Sequence, residues 1–245
     1  MAIDNIIHKQ VLKELHILDS NKDKKERLWV QKYLGSNKPT ASVKTGKMID
    51  LAKKIVKENN FDKKQLTKLL DSLYSKGSTF QEIDLAARLL AVAPKLRQQI
   101  NPNKLDYWLN FTHGWAETDV LCQSNFTSDE LLSNWATWKK LLIKFSKDKN
   151  VHKRRASLVL LTKSVRMSDD KRLSNLAFKN VDLLKNEKDI LITKAVSWIL
   201  RSLIQNHKKE VSKYLNKNNE TLPKIAVREV TNKLLTGVKN KKVKK

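Results

Sequence analysis

Apolar residues in this chain recur every three or four positions, the spacing that lines one face of an α-helix. Alternation of the strand type never persists beyond a few residues. Ile6, Ile7, Val11, Leu12, Leu15 and Leu18 mark a first helix over residues 3–18. A second runs from about Lys22 to Leu34 and ends at Gly35, a residue suited to a left-handed C-cap. Residues 36–44, with Pro39, read as a loop, and Lys47 to Glu58 as the third helix. Asp62 with Gln65, Ser78 with Gln81 and Thr127 with Glu130 have capping-box spacing. They predict helix starts just after Asp62, at Phe80 and at Leu131. Pro94 ends or kinks the helix over 80–93, and Pro102 opens another through Leu109. The helix from Leu131 is expected to reach Phe145. Residues 151–165 are apolar on several sides, as expected of a helix buried between layers. Residues 171–184, 189–205, 208–215 and 222–235 complete the set.

About a dozen helices of roughly 10–18 residues joined by short loops predict an all-α protein. The arrangement expected is a curved α-solenoid of HEAT-like antiparallel helix pairs. A non-repeat helical bundle is the competing arrangement. A single domain is expected over residues 1–238, followed by a basic, disordered tail over 239–245.

Composition agrees with the pattern. Five glycines and four prolines in 245 residues are too few for a loop-rich sheet protein. The net charge of +25 changes the picture more. Self-repulsion of that size is tolerated most easily when the usual partner is a polyanion. The charge is also uneven: residues 101–150 hold six acids and six bases, whereas residues 151–245 are strongly basic. The single cysteine, Cys122, allows no intramolecular disulfide and fits a reducing cytoplasm. The N-terminus does not read as a signal peptide, and no apolar run approaches the roughly 20 residues of a membrane helix.

Two stretches stand out for chemistry. On a helical wheel Lys194, Trp198, Arg201 and Gln205 gather within about 60°, opposite Ile192, Ala195, Val196, Ile199 and Leu203. An indole between two cations suits a nucleic-acid partner, although Leu191 beside it equally suits a Trp198 buried against a neighbouring helix. In the neutral window, Trp115 and Asp119 are four residues apart, so one helix face carries an indole and a carboxylate, with Glu117 directed elsewhere. The five histidines are scattered without metal-ligand spacing, so no metal and no cofactor is expected. Phosphate-binding glycine loops and nucleophile motifs are absent.

Three ordered segments resemble the AlkD-type DNA alkylation repair family, HEAT-like DNA glycosylases that excise positively charged alkylpurines. They are Trp115-x-x-x-Asp119-x-x-Cys122, Lys153-Arg154-Arg155-Ala156-Ser157-Leu158 and Lys194 through Trp198 to Arg201. The stretch Leu222 to Glu229 resembles the family's last helix, and Tyr33 with Ser42-Val43-Lys44-Thr45 resembles its N-terminal region, with Ser42 where glycine is common. The resemblance implies that Asp119 is the catalytic carboxylate and that Trp115 and Trp198 contact the sugar of the damaged nucleotide. It implies DNA-backbone contacts from Arg201 and from Arg154, with Arg155 as the alternative one residue on; Lys194, on the polar stripe with Trp198 and Arg201, is read as a further DNA-binding cation. Ala116 departs from the family, whose members commonly carry an acid after the first tryptophan. The expected function is excision of N3- and N7-alkylpurines from double-stranded DNA in base excision repair, by a monomer in the cytoplasm near the nucleoid. The alternative is a non-catalytic HEAT-like protein that binds damaged or branched DNA, or RNA.

Overall fold

A computed structural model of the chain describes residues 6–19, 24–123 and 125–240. Among them every regular element is helical, and none is a strand. In order these are α1 (Ile6–Leu18), α2 (Lys24–Leu34), α3 (Thr45–Asn59), α4 (Lys63–Leu73), α5 (Phe80–Val92), α6 (Pro94–Arg97) and α7 (Lys104–Trp108). A 3-10 turn (Leu109–Phe111) leads to α8 (Gly114–Cys122), α9 (Ser128–Ser133), α10 (Trp135–Ser146), α11 (Val151–Met167), α12 (Lys171–Leu184), α13 (Ile190–Asn218) and α14 (Lys224–Thr236). The chain divides into two compact units, residues 1–121 and 122–245.

In the first unit α3 packs on α5, and α4 touches α1, α5 and α6. Leu66, Leu69, Leu70, Leu73, Ile83 and Leu89 fill the core without exposure. The loop after α2 folds back over this unit. Phe80 N–H donates to the Pro39 carbonyl at 3.0 Å. The Gln81 side chain accepts from Ala41 N–H at 2.7 Å and donates to its carbonyl at 2.6 Å. That explains a one-residue correction: the box that opens α5 is Thr79 with Glu82, not Ser78 with Gln81. Gln81 is occupied with the loop, and Ser78 bonds back to Ser75. The boxes at Asp62 and Thr127 form as expected. Glu82 also receives His8, whose Nε2 lies 2.8 Å from its Oε1. Burial pushes the Glu82 carboxyl up, but its bonds to His8 and Thr79 hold it below the usual value.

In the second unit α11 is the central helix. It packs on α10, α12 and α13, and Leu158, Val159, Leu160, Leu161 and Val165 are all buried on it. The long segment expected over 131–145 is broken at Asn134 into α9 and α10. The helices expected over 189–205 and 208–215 follow one another within α13, which breaks at His207 (φ −130°, ψ 40°), at the expected junction. Beside this break, Asn206 is held by the neighbouring helix. Its amide donates to the carbonyls of Val165, Arg166 and Ser168, the C-terminal turn of α11, at 3.0, 2.9 and 3.2 Å. Those are carbonyls that a helix end leaves without intrahelical partners. The starts expected at residues 3–5 and 22–23, and the tail over 241–245, lie outside the described residues. No described helix is long and apolar enough to cross a membrane.

Candidate functional site

In the first unit the site is assembled where α8 begins against the end of α2. Gly35 adopts φ +65°, and the chain closes a Schellman motif there. Ser36 N–H donates to Gln31 O at 3.1 Å, and Gly35 N–H to Lys32 O at 3.2 Å. The Tyr33 carbonyl, left over by that motif, accepts the Trp115 indole N–H at 2.9 Å. Gly114, at φ +73°, makes the approach possible: a Cβ there would lie 2.1 Å from the Gly35 carbonyl oxygen. Two glycines therefore let two backbones touch, and Trp115 is held beside Tyr33, edge to face at 5.7 Å. Trp29, one turn earlier on α2, stacks on Tyr33 at 5.6 Å and 6°. Trp29 and Tyr33 stay 65% and 60% exposed, so this aromatic row faces solvent. Asp119 lies one turn along α8 from Trp115 and is only 7% exposed. The expected pairing of indole and carboxylate is thus present on one helix.

Glu117 is directed the other way and is wholly buried. Its Oε1 accepts from Ser36 Oγ, and its Oε2 accepts from His113 N–H at 2.6 Å. Burial pushes its carboxyl up to about 7, against the opposing pull of those bonds and of Lys38. Lys38 is itself buried and donates to the Ser78 carbonyl at 3.1 Å. Burial holds its amine below the usual value although Glu117 and Glu82 favour the charge. His113 is also shifted down, by burial and then by Lys38. Sequence reasoning gave Glu117, Ser36 and Lys38 no role, because nothing in the spacing shows the loop folding back. Trp29 was legible in principle, four residues before Tyr33 on a helix none of whose described side chains is buried.

In the second unit α13 carries Lys194 exposed and Trp198 half-buried on its polar side. Arg201 follows. Its Nε donates to Ser197 Oγ at 3.2 Å and lies 3.4 Å from Glu229 Oε2. Ser197 Oγ donates to that same carboxylate oxygen at 2.5 Å, and Lys239 reaches the other oxygen at 3.0 Å. Burial lowers the Arg201 guanidinium and Glu229 partly offsets the shift. Arg154 is engaged around its whole fork. It donates to Glu187 at 2.8 and 3.1 Å and to the carbonyls of Asp148 and Lys149 at 2.9 and 2.8 Å. Arg155 is buried and donates to the Leu191 carbonyl at 2.6 Å. These two arginines tie the start of α11 to the segment that opens α13. A phosphate contact from Arg154 therefore requires exchange of Glu187 for the phosphate. No group of three or more His, Cys, Asp or Glu suited to a metal ion occurs among the described residues.

Comparison with known proteins then gives these features a family. A solved structure, described as a predicted DNA alkylation repair enzyme from Enterococcus faecalis, matches with a TM-score of 0.68 and 18% identity. The match spans 89% of this chain and 99% of that one, and at that identity it speaks for the fold. No curated protein matches. The model of the family of DNA alkylation repair enzymes matches residues 15–234. With nearly the whole chain covered, Trp115, Asp119 and the α13 stripe included, this protein belongs to the DNA alkylation repair enzyme family.

Proposed function

We propose that the protein is a DNA glycosylase that excises cationic N3- and N7-alkylpurines from duplex DNA. The observation that carries the reading is the nearly buried Asp119 one turn from Trp115, whose indole is fixed by the Tyr33 carbonyl within an exposed aromatic row. Alkylation has already made the purine positive. When the glycosidic bond breaks, the base takes the bonding electrons and leaves neutral, so no acid has to protonate it. What grows in the transition state is positive charge on the deoxyribose. A fixed carboxylate stabilises that charge and orients the water that adds at the anomeric carbon. The Trp115 face contributes cation–π attraction to the same charge. Trp198 is read as a second sugar contact. Lys194 and Arg201, and Arg154 after exchange with Glu187, are read as phosphate contacts, while Arg155 supports α11 from inside.

The test compares base release from methylated duplex DNA by wild type and Asp119→Asn. The variant should retain DNA binding and lose at least about a hundredfold in single-turnover release, the scale of one electrostatic stabiliser. A wild type that binds DNA but releases no base would move the protein to the non-catalytic binding class.

A further inference from the structure

We propose that Glu117 is a positioning residue for the Trp115–Asp119 pair: its carboxylate pins the first turn of α8 to the loop after α2 and thereby sets how indole and aspartate are presented to DNA. The assignment rests on the glycosylase reading for its functional consequence, but its geometry stands apart from it.

Three observations converge. First, both carboxylate oxygens are used, and on different segments. Oε1 holds Ser36, the residue directly after the Gly35 cap of α2, and Oε2 holds the His113 N–H immediately before α8. Second, these are the segments whose backbones touch at Gly35 and Gly114, and from which Tyr33 and Trp115 are joined by the indole bond. Glu117 thus closes, from inside, the junction that the indole closes from outside. Third, the group is held where an ionised carboxylate is unfavourable. It has no exposure, and the cation that favours its ionised form, Lys38, is itself buried. A purely architectural tie would be made as well by an amide, without the burial of charge. The groups around it define its electrostatic setting. Lys38 and Ser36 act on it from the loop, Glu82 of α5 acts in turn on Lys38, His113 precedes it, and Asp119, two residues on, falls on the other side of α8 by helical spacing.

Ionised Glu117 accepts both bonds. Protonated Glu117 has a hydrogen to place, and Ser36 must turn its hydroxyl to accept it. The junction therefore has two arrangements, which exchange in the range where this carboxyl titrates, about 7. Glu117→Gln fixes the neutral arrangement: the amide oxygen accepts from His113 N–H, and the amide nitrogen donates to Ser36.

Two readouts decide the assignment. The first needs no activity. In nitrogen-15 spectra the Trp115 indole resonance, identified by its loss in Trp115→Phe, should move with a midpoint near the Glu117 value in wild type and stay fixed in Glu117→Gln. An indole signal that ignores pH in wild type overturns the positioning role, whether or not the protein releases bases. The second readout is single-turnover base release between about pH 6 and 8. Wild type should rise through an ascending limb that Glu117→Gln lacks. Glu117→Gln should fall about tenfold below wild type at the upper end, and Ser36→Ala by a few-fold. The thermal midpoint of Glu117→Gln should stay at or above that of wild type, separating lost positioning from lost folding. Equal rates and equal pH profiles for wild type and Glu117→Gln overturn the functional consequence. Absence of release from wild type instead overturns the glycosylase reading and leaves the indole titration to decide whether Glu117 positions Trp115.

Discussion

Within α8, neighbouring residues have opposite fates. Trp115 is half-exposed, Ala116 and Thr118 are buried, Glu117 is wholly enclosed and Asp119 is nearly so. Four-residue spacing joins Trp115 to Asp119 and was readable from the sequence. The role of Glu117 was not, because it depends on Ser36, 81 positions earlier in the chain. Its burial has a consequence for stability. Between the ordinary carboxylate value and about 7, the folded protein keeps a proton that the unfolded chain releases. Stability must therefore fall as pH rises through that window, by up to about 3 kcal/mol for a shift of this size. Above the folded value the full penalty is present, and below the unfolded value it is absent. Urea unfolding of wild type at about pH 5 and about pH 8 should show this loss, after subtraction of the same difference in Glu117→Gln. A subtracted difference of zero would mean that the carboxylate is solvated better than its burial implies.

At the scale of the element, α8 depends on its first residue. Gly114 combines φ +73° with contact against the Gly35 backbone, so any side chain there meets strain and collision together. Gly114→Ala should destabilise the protein by about 3 kcal/mol or more, and it should displace Trp115 even where folding survives. A midpoint within about 0.5 kcal/mol of wild type in denaturant would show that the junction yields easily. By contrast, Thr127→Ala removes one side of the α9 capping box and should cost about 1 kcal/mol, the usual scale of such a cap. Most of the helices were legible because apolar periodicity and capping residues are local signals. The misplaced α5 box was a local competition settled from a distance. Gln81 was taken by the loop at Ala41, which moved the α5 box to Thr79.

For the whole molecule, the charge of +25 makes an electrostatic prediction. If the protein engages about four phosphates, its affinity for duplex DNA should fall about a hundredfold between roughly 50 and 200 mM salt, through counterion release. Fluorescence anisotropy with labelled duplex would measure that slope, and a flat dependence would remove the polyanion as explanation of the charge. The effect should be shared by wild type and Asp119→Asn, since in the proposed glycosylase reading phosphate contacts carry affinity and the carboxylate carries chemistry. Charge alone would not have identified which cations are available. Arg154 and Arg155 are committed within the second unit, to Glu187 and to the Leu191 carbonyl, whereas Lys194 is exposed.

Sequence by itself determined the all-helical class, most helix boundaries, the basic character and the ordered Trp115, Asp119 and Trp198 set, because each follows from residue type and short-range spacing. Tertiary structure decided which groups are enclosed and what they hold. The contact of Gly35 with Gly114, the indole bond to Tyr33, the burial of Glu117 and the commitment of Arg154 all join residues distant in the chain. The physical reason is that desolvation and hydrogen-bond partnership belong to the packed interior, and a helical wheel describes only one helix at a time.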